Sequence, residues 1–236
     1  MIIIYANSAV ETLRALAVEW GAYFTEGYGT SKLELDNDLG KGCLCSYDIL
    51  PGLSAFTYDI TFNEEIRFQK DESEMNPLYF LYCLEGYWYH RFSDETEPKK
   101  ISQMQNVVVS STKEKMNVII LPANVKLKLS IIFLMKDRFD HSLPNNLKPL
   151  ETILMESSSL FEDEGSYRYF GQITIKTAQY AEILINSQRT DVIGRLTSQT
   201  AVLNTLTSQM TAFEKNRDSS EITAPLSPSE LDKIVK

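Results

Sequence analysis

Phe56-Thr57-Tyr58-Asp59-Ile60-Thr61-Phe62 is the stretch on which the fold of this chain turns. Apolar residues stand at every second position with polar ones between them, and side chains of a strand alternate between its two faces. The stretch therefore reads as a strand with one dry and one wet face, not as a helix, whose apolar positions would recur every three to four residues. The same period continues in Ile66 and Phe68 after Glu64-Glu65, and returns in Val125, Leu127, Leu129, Ile131 and Phe133, which alternate with Lys126, Lys128, Ser130 and Ile132. Between these runs lie Leu78 to Leu84, apolar on both faces, then Gly86, Tyr87 to Phe92, Asn106 to Ser110 and Met116 to Leu121. Turn-forming residues separate them: Pro51-Gly52, Asn76-Pro77, Ser93-Asp94-Glu95 and Pro122-Ala123-Asn124. About eight to ten short strands with no helix between them predict an antiparallel β-barrel or jelly roll over residues 33–140.

The flanks read differently. Ile2 to Tyr5 predicts a short strand or tail. Val10, Leu13, Leu16, Ala17 and Trp20 place one apolar face on a helix from Ser8 to Tyr23, within an extension covering residues 1–32. After Phe139 the pattern turns helical, with one helix over Thr174 to Gln188 and a second from Thr190-Asp191 to Asn216. In the second, Val192, Leu196, Gln199, Leu203, Leu206, Met210 and Phe213 follow steps of four and three, the narrow seam of a coiled coil with one polar member. Such a seam packs either on the chain's own barrel or preceding helix, or on a second copy of the chain. The region 141–216 is therefore read as a helical dimerisation region. Residues 217–236 follow as a linker and the start of something further: Ser227-Pro228-Ser229-Glu230 is a helix-start signal, and Leu231, Ile234 and Val235 begin an apolar stripe. So short a helix is not stable alone in water, which leads us to expect a further domain after it.

Composition narrows the function. The chain has 236 residues, 43% hydrophobic and 23% charged, ordinary for a globular protein with a proper core. A net charge of -9 excludes the basic face that direct contact with nucleic acid requires. Cys43, Cys45 and Cys83 have no C-x-x-C spacing and no neighbouring His to complete a zinc pattern, so they read as buried reduced thiols. No window approaches the ~18 apolar residues of a membrane-spanning helix. Met1-Ile2-Ile3-Ile4 is too short for a signal-peptide core, so the expected location is cytoplasmic.

No catalytic constellation emerges. Metal-dependent barrel enzymes of the cupin kind carry two His one residue apart on a strand and a Glu soon after; here His90 and His141 are the only histidines, and Glu85 and Glu95 are not spaced to complete a set. No Ser, Cys or Thr near His90 carries a nucleophile signature, and no Gly-rich phosphate loop occurs. Asp71-Glu72-Ser73-Glu74 and Phe161-Glu162-Asp163-Glu164 read as solvated acidic loops. The aromatic content is more informative. On Tyr87 to Phe92 one face is Trp88, His90 and Phe92, and together with Phe56, Tyr58 and Tyr82 it forms the candidate lining of an apolar pocket with a few hydrogen-bonding tips, as in small-molecule sites.

The order of these parts resembles a known family. Leu39-Gly40-Lys41-Gly42, Tyr47-Asp48-Ile49-Leu50-Pro51-Gly52-Leu53, Tyr82-Cys83-Leu84-Glu85-Gly86 and Val107-Val108-Val109-Ser110-Ser111 precede a helix pair ending in Ile193-Gly194-Arg195-Leu196 through Leu203-Asn204-Thr205-Leu206, and then Leu231-Asp232-Lys233-Ile234. Over residues 33–236 this resembles the amino-terminal sensing and dimerisation part of AraC-type transcriptional regulators, particularly those of Bacteroides-like bacteria. The resemblance implies a cupin-like barrel that senses a small effector, a helix pair that makes a homodimer, and a carboxy-terminal domain with two helix-turn-helix motifs that alone contacts DNA. From the residues themselves no cofactor, metal or membrane partner is expected. The family's pocket residues have no residue-by-residue match here, so the effector is not carried over. The alternative from another class is a free-standing cupin-like enzyme such as a sugar isomerase.

Overall fold

The computed structural model describes residues 2–4, 8–70, 77–110, 115–135, 152, 166–171 and 174–218. In chain order the elements are β1 (Ile2–Ile4), α1 (Ala9–Glu19), β2 (Tyr23–Gly27), β3 (Thr30–Asn37), β4 (Gly40–Leu50), β5 (Leu53–Phe62), β6 (Ile66–Lys70), β7 (Pro77–Glu85), β8 (Trp88–Phe92), β9 (Lys99–Ile101), β10 (Asn106–Ser110), β11 (Asn117–Leu121), β12 (Lys126–Met135), β13 (Tyr167–Gly171), α2 (Ile175–Asn186) and α3 (Val192–Asp218). The protein is mostly β, two largely antiparallel sheets followed by a helix pair.

Two sheets face each other. One has the order β1-β6-β11-β8-β9, the other β13-β10-β7-β12-β5-β4-β3-β2. The long antiparallel ladder of β5 with β12 sets Tyr58 opposite Leu129 and Phe56 opposite Ile131, so the alternation read in the two stretches delivers one common dry face. Phe56, Tyr58, Ile60 and Phe62 join Leu127, Leu129, Ile131 and Phe133 in the core between the sheets. The intervening positions Ala55, Ile132 and Leu134 belong to a second core, on the outer face of the larger sheet, under α2 and α3. That second core explains why β7 is apolar on both faces: Tyr79, Leu81 and Cys83 face the other sheet, while Leu78 and Phe80 face the helices.

Four local readings differ from the sequence expectation. The first helix ends at Glu19, not Tyr23, because Gly21 takes φ +60 and closes a Schellman turn, with the Gly21 and Ala22 amides donating to the Val18 and Ala17 carbonyls. Tyr23 thus opens β2, and β2 and β3 both start ahead of residue 33 as the edge of the eight-stranded sheet. The tract around Tyr167, within the region expected to be helical, supplies β13, which pairs with β10. Pairing is antiparallel throughout except for β1, which runs parallel to β6. The first of these helices is otherwise as expected: Ser8 caps it by accepting from the Glu11 amide at 3.0 Å, and Leu13, Leu16 and Ala17 are buried in the inter-sheet core. The acidic loops, His141 and the segment from Ser227 lie outside the described residues.

Candidate functional site

The inter-sheet core is not filled. A cavity of about 70 Å³ remains among Phe56 and Tyr58 of β5, Phe68 of β6, Tyr79 and Leu81 of β7, His90 of β8, Asn117 and Ile119 of β11, Ile131 and Phe133 of β12, and Thr12 and Leu16 of α1. A single buried water needs about 10–15 Å³ on the same measure, so the space is several waters large. Aromatic rings set its shape: Phe133 stands edge-on to both Phe56, with centroids 5.5 Å apart, and Tyr79, at 5.0 Å.

Of the six residues expected to line a pocket, the structure brings three to this cavity: Phe56, Tyr58 and His90. Trp88 and Phe92 point into the same core on the same face of β8, flanking His90 rather than reaching the cavity. Tyr82 lies on the opposite face. It sits at an even position of β7, with Leu78 and Phe80, and packs under α2 against Met104, Ala178 and Ala181. A run apolar on both faces gives no parity signal, so the sequence alone could not assign Tyr82 to a side. Tyr79 and Asn117 line the cavity and were not singled out; Tyr79 carries the parity of Leu81, but only the register with β12 reveals which face that is.

His90 is the polar centre of the wall. Its Nδ1 accepts from Arg168 Nε at 2.8 Å, and since a guanidinium only donates, that nitrogen carries no proton. Nε2 therefore donates to Asn117 Oδ1 at 2.9 Å. Arg168, on β13, is held in turn by Glu95, at 2.7 and 3.4 Å, and lies over the Phe92 ring at 4.9 Å. Burial, reinforced by the Arg168 charge, pushes His90 down to about 4, with Asn117 and Glu95 pulling the other way. The imidazole is thus a fixed neutral group with both nitrogens engaged, and not a free base. Burial also pushes the Tyr58 phenol up, so that hydroxyl stays protonated. Burial pushes Cys83 up to about 12 and keeps it a thiol; Cys43, Cys45 and Cys83 are all unpaired, with Cys43 only partly buried.

The helices occupy the other face of the sheet. The Tyr47 hydroxyl donates to the Ser187 carbonyl at 2.5 Å, Arg195 donates to the Asp48 and Ile49 carbonyls, and Gln209 Nε2 donates to Asn106 Oδ1 at 2.7 Å and to the Leu81 carbonyl at 3.2 Å. Through these bonds the expected seven-residue seam divides. Leu206 and Phe213 are buried against the sheet side, Phe213 edge-on to Tyr169, while Gln199, Leu203 and Met210 are half-buried. Val192 and Leu196 are 49% and 59% exposed, and Ile193 beside them 56%. The buried face of α3 is set instead by small residues, Ser198, Ala201, Val202 and Thr205, while the buried Gly194 packs against Arg189 in the turn before the helix. That run of small residues at three- and four-residue spacing was the available signal, and a search for large apolar residues passes over it.

Among the described residues no three His, Cys, Asp or Glu side chains converge as metal ligands would, and no helix is long and apolar enough to cross a membrane. Comparison with curated protein sequences finds no match. Solved structures give distant likenesses: the AraC-like transcriptional activator CuxR (8% identity over 88% of this chain and 72% of that one, TM-score 0.40), the nucleoside dehydratase Pac13 (9%, 50% and 78%, 0.23) and the Bacillus subtilis oxalate decarboxylase OxdC (11%, 65% and 40%, 0.26). The family model for the N-terminal domain of the regulatory protein PchR matches residues 40–225, which runs from β4 through the helix pair and is well over half of the chain. The chain belongs to that family, the regulatory N-terminal domains of AraC-type transcription regulators.

Proposed function

We propose that this regulatory domain binds a small effector in the cavity between its sheets and self-associates through the exposed start of α3. The observation that carries the effector half is the cavity itself: a gap bounded by both sheets and α1, with a hydrogen-bonded His90 in its wall. Protein interiors seldom keep such space without use. The dimer half rests on Val192, Ile193 and Leu196, three large apolar side chains left in water on consecutive turns. DNA contact then falls to another domain of the full regulator, since this chain carries a net charge of -9, and the site of action is the cytoplasm. The division of labour is an effector-binding β unit that takes in α1, β2, β3 and β13, and the α2–α3 pair packed on it, which carries self-association.

Two measurements test this. Thermal melting against a panel of metabolites should show one chemical class raising the midpoint, because a ligand that binds only the folded state stabilises it by mass action. Filling the space by Ile131→Phe should remove that shift; a shift that persists undiminished places the effector elsewhere. Sedimentation should show a dimer that Ile193→Glu with Leu196→Glu converts to a folded monomer, and a wild-type monomer at tens of micromolar, about the working range for interfaces of standard size, would contradict the dimer. The enzyme alternative, a sugar isomerase, draws no support from the wall, whose one imidazole has both nitrogens engaged.

A further inference from the structure

The wall of the cavity is apolar and carries few polar groups. Its surface is built mainly from Leu16, Phe56, Leu81, Ile131 and Phe133, with Val109 and Ile119 beside them, and among the described residues no Asp, Glu, Lys or Arg lines it. Arg168, which bonds to His90 in the wall, is committed to Glu95 and to that imidazole. An ion brought into this space would lose its hydration and meet no opposite charge, which a low-dielectric interior does not tolerate.

Most of the polar groups in the wall are also spoken for. Thr12 Oγ1 donates to the Ser8 carbonyl at 2.9 Å, Ser54 Oγ donates to Asp48 Oδ1 at 3.1 Å, and His90 uses both nitrogens. The two phenols, Tyr58 and Tyr79, are not engaged in this way, and Tyr79 is the one whose hydroxyl is fully shut off from solvent. Its residue is 4% exposed, its ring is held against Phe133, and its hydroxyl has no hydrogen-bond partner among the described residues. A buried hydroxyl left unpaired is costly and rare in native proteins, and a ligand in the cavity it borders would supply the partner.

We propose that the cavity takes a small uncharged molecule, apolar over most of its surface, that meets the Tyr79 hydroxyl with one hydroxyl or carbonyl group. This rests on the reading of the cavity as the effector site and narrows it to a ligand class. The volume sets the scale: about 70 Å³ corresponds to roughly five waters, so the ligand is small and the surrounding rings must shift to admit anything as large as a substituted six-membered ring. A phenol both donates and accepts, so Tyr79 can serve an alcohol or a carbonyl equally. Sugars, with polar groups on every side, and anionic or cationic metabolites are rejected by the same wall.

The test compares near-isosteric probes on the whole chain at neutral pH by calorimetry and thermal melting: benzyl alcohol, toluene, benzoate and benzylamine. Benzyl alcohol should bind most tightly, toluene next, and the two ions too weakly to shift the melt. Tyr79→Phe, which keeps the ring and removes the hydroxyl, should weaken benzyl alcohol about tenfold and leave toluene unchanged, the expected loss for one buried hydrogen bond. Benzoate or benzylamine binding as tightly as benzyl alcohol, and competing with toluene, would overturn the ligand class while leaving the cavity as a site. An unchanged benzyl alcohol affinity in Tyr79→Phe would overturn the role of that hydroxyl. Failure of every probe, toluene included, to bind at millimolar concentration in the folded protein would overturn the cavity reading itself.

Discussion

The two faces of the eight-stranded sheet are both buried, yet they are filled by different means. Toward the second sheet stand large rings, Phe56, Tyr58, Tyr79 and Phe133, meeting edge to face and leaving a cavity. Toward the helices stand Cys45, Tyr47, Ala55, Phe80 and Val108, and the helix laid on them presents Ser198, Ala201, Val202 and Thr205. Small side chains let a helix approach a sheet closely and pack without gaps, while rigid rings hold two sheets apart at a distance they cannot fully occupy. The outer face is also pinned by bonds from Arg195 and Gln209 to strand carbonyls, so the helix pair is held to the sheet by both packing and hydrogen bonds. One face carries small side chains and hydrogen bonds to the helices, the other a cavity among rings.

The difference can be broken most forcefully at Leu206, which is 2% exposed beneath α3. Leu206→Ala should cost about 2–5 kcal/mol, as cavity formation in a tight core does, read from urea unfolding. Adding volume sharpens the contrast. Val202→Phe, on the helix-covered face, should cost about 1–3 kcal/mol by overpacking, whereas Ile131→Phe, beside the existing space, should stay within about 1 kcal/mol of wild type or exceed it. Equal penalties at the two positions would mean the two faces are equally full.

Acid should act on the ring-lined face. The folded pKa of His90 lies near 4, below its ordinary value of 6.5, so the folded state binds this proton less readily than the unfolded chain. The stability that this group contributes is complete above pH 6.5 and is lost as pH falls toward 4. By pH 5 the loss should reach about 2 kcal/mol relative to pH 7, and in His90→Gln that component should vanish. A wild-type and variant pair with parallel pH profiles would mean that the imidazole is not held neutral. The smallest effect on folding belongs to Leu196, 59% exposed. Leu196→Glu should alter the stability of the monomer by no more than about 0.5 kcal/mol, so that any weakening of self-association reads the interface alone.

The sequence exposes these two faces unequally. Where polar residues alternate with apolar ones, as from Phe56 to Phe62, parity assigns each side chain to a face, and Trp88, His90 and Phe92 point inward as their spacing implies. Where helices cover the outer face, as over Leu78 to Tyr82, both parities are apolar and the alternation is silent; Tyr82 and Tyr79 could not be told apart without the register of β7 on β12. Arg168 was out of reach for a further reason. It stands 78 residues from His90 in a short aromatic strand, and no local pattern announces a contact made only when β13 closes the sheet edge. On α3 the large residues suggested a single seam, but close approach to the sheet is governed by the small ones, which split that seam into a buried end at Leu206 and Phe213 and an exposed end at Val192 and Leu196.

The central claim, that space for a ligand lies between the sheets and not beneath the helices, is tested most directly by xenon, which enters dry apolar cavities without requiring a chosen ligand. In crystals held under xenon pressure, density is predicted beside Tyr79, Phe133 and Ile131, with none between Phe80 and Val202. Xenon found under the helices, or absent from the inter-sheet core of a well-ordered crystal, would contradict the account.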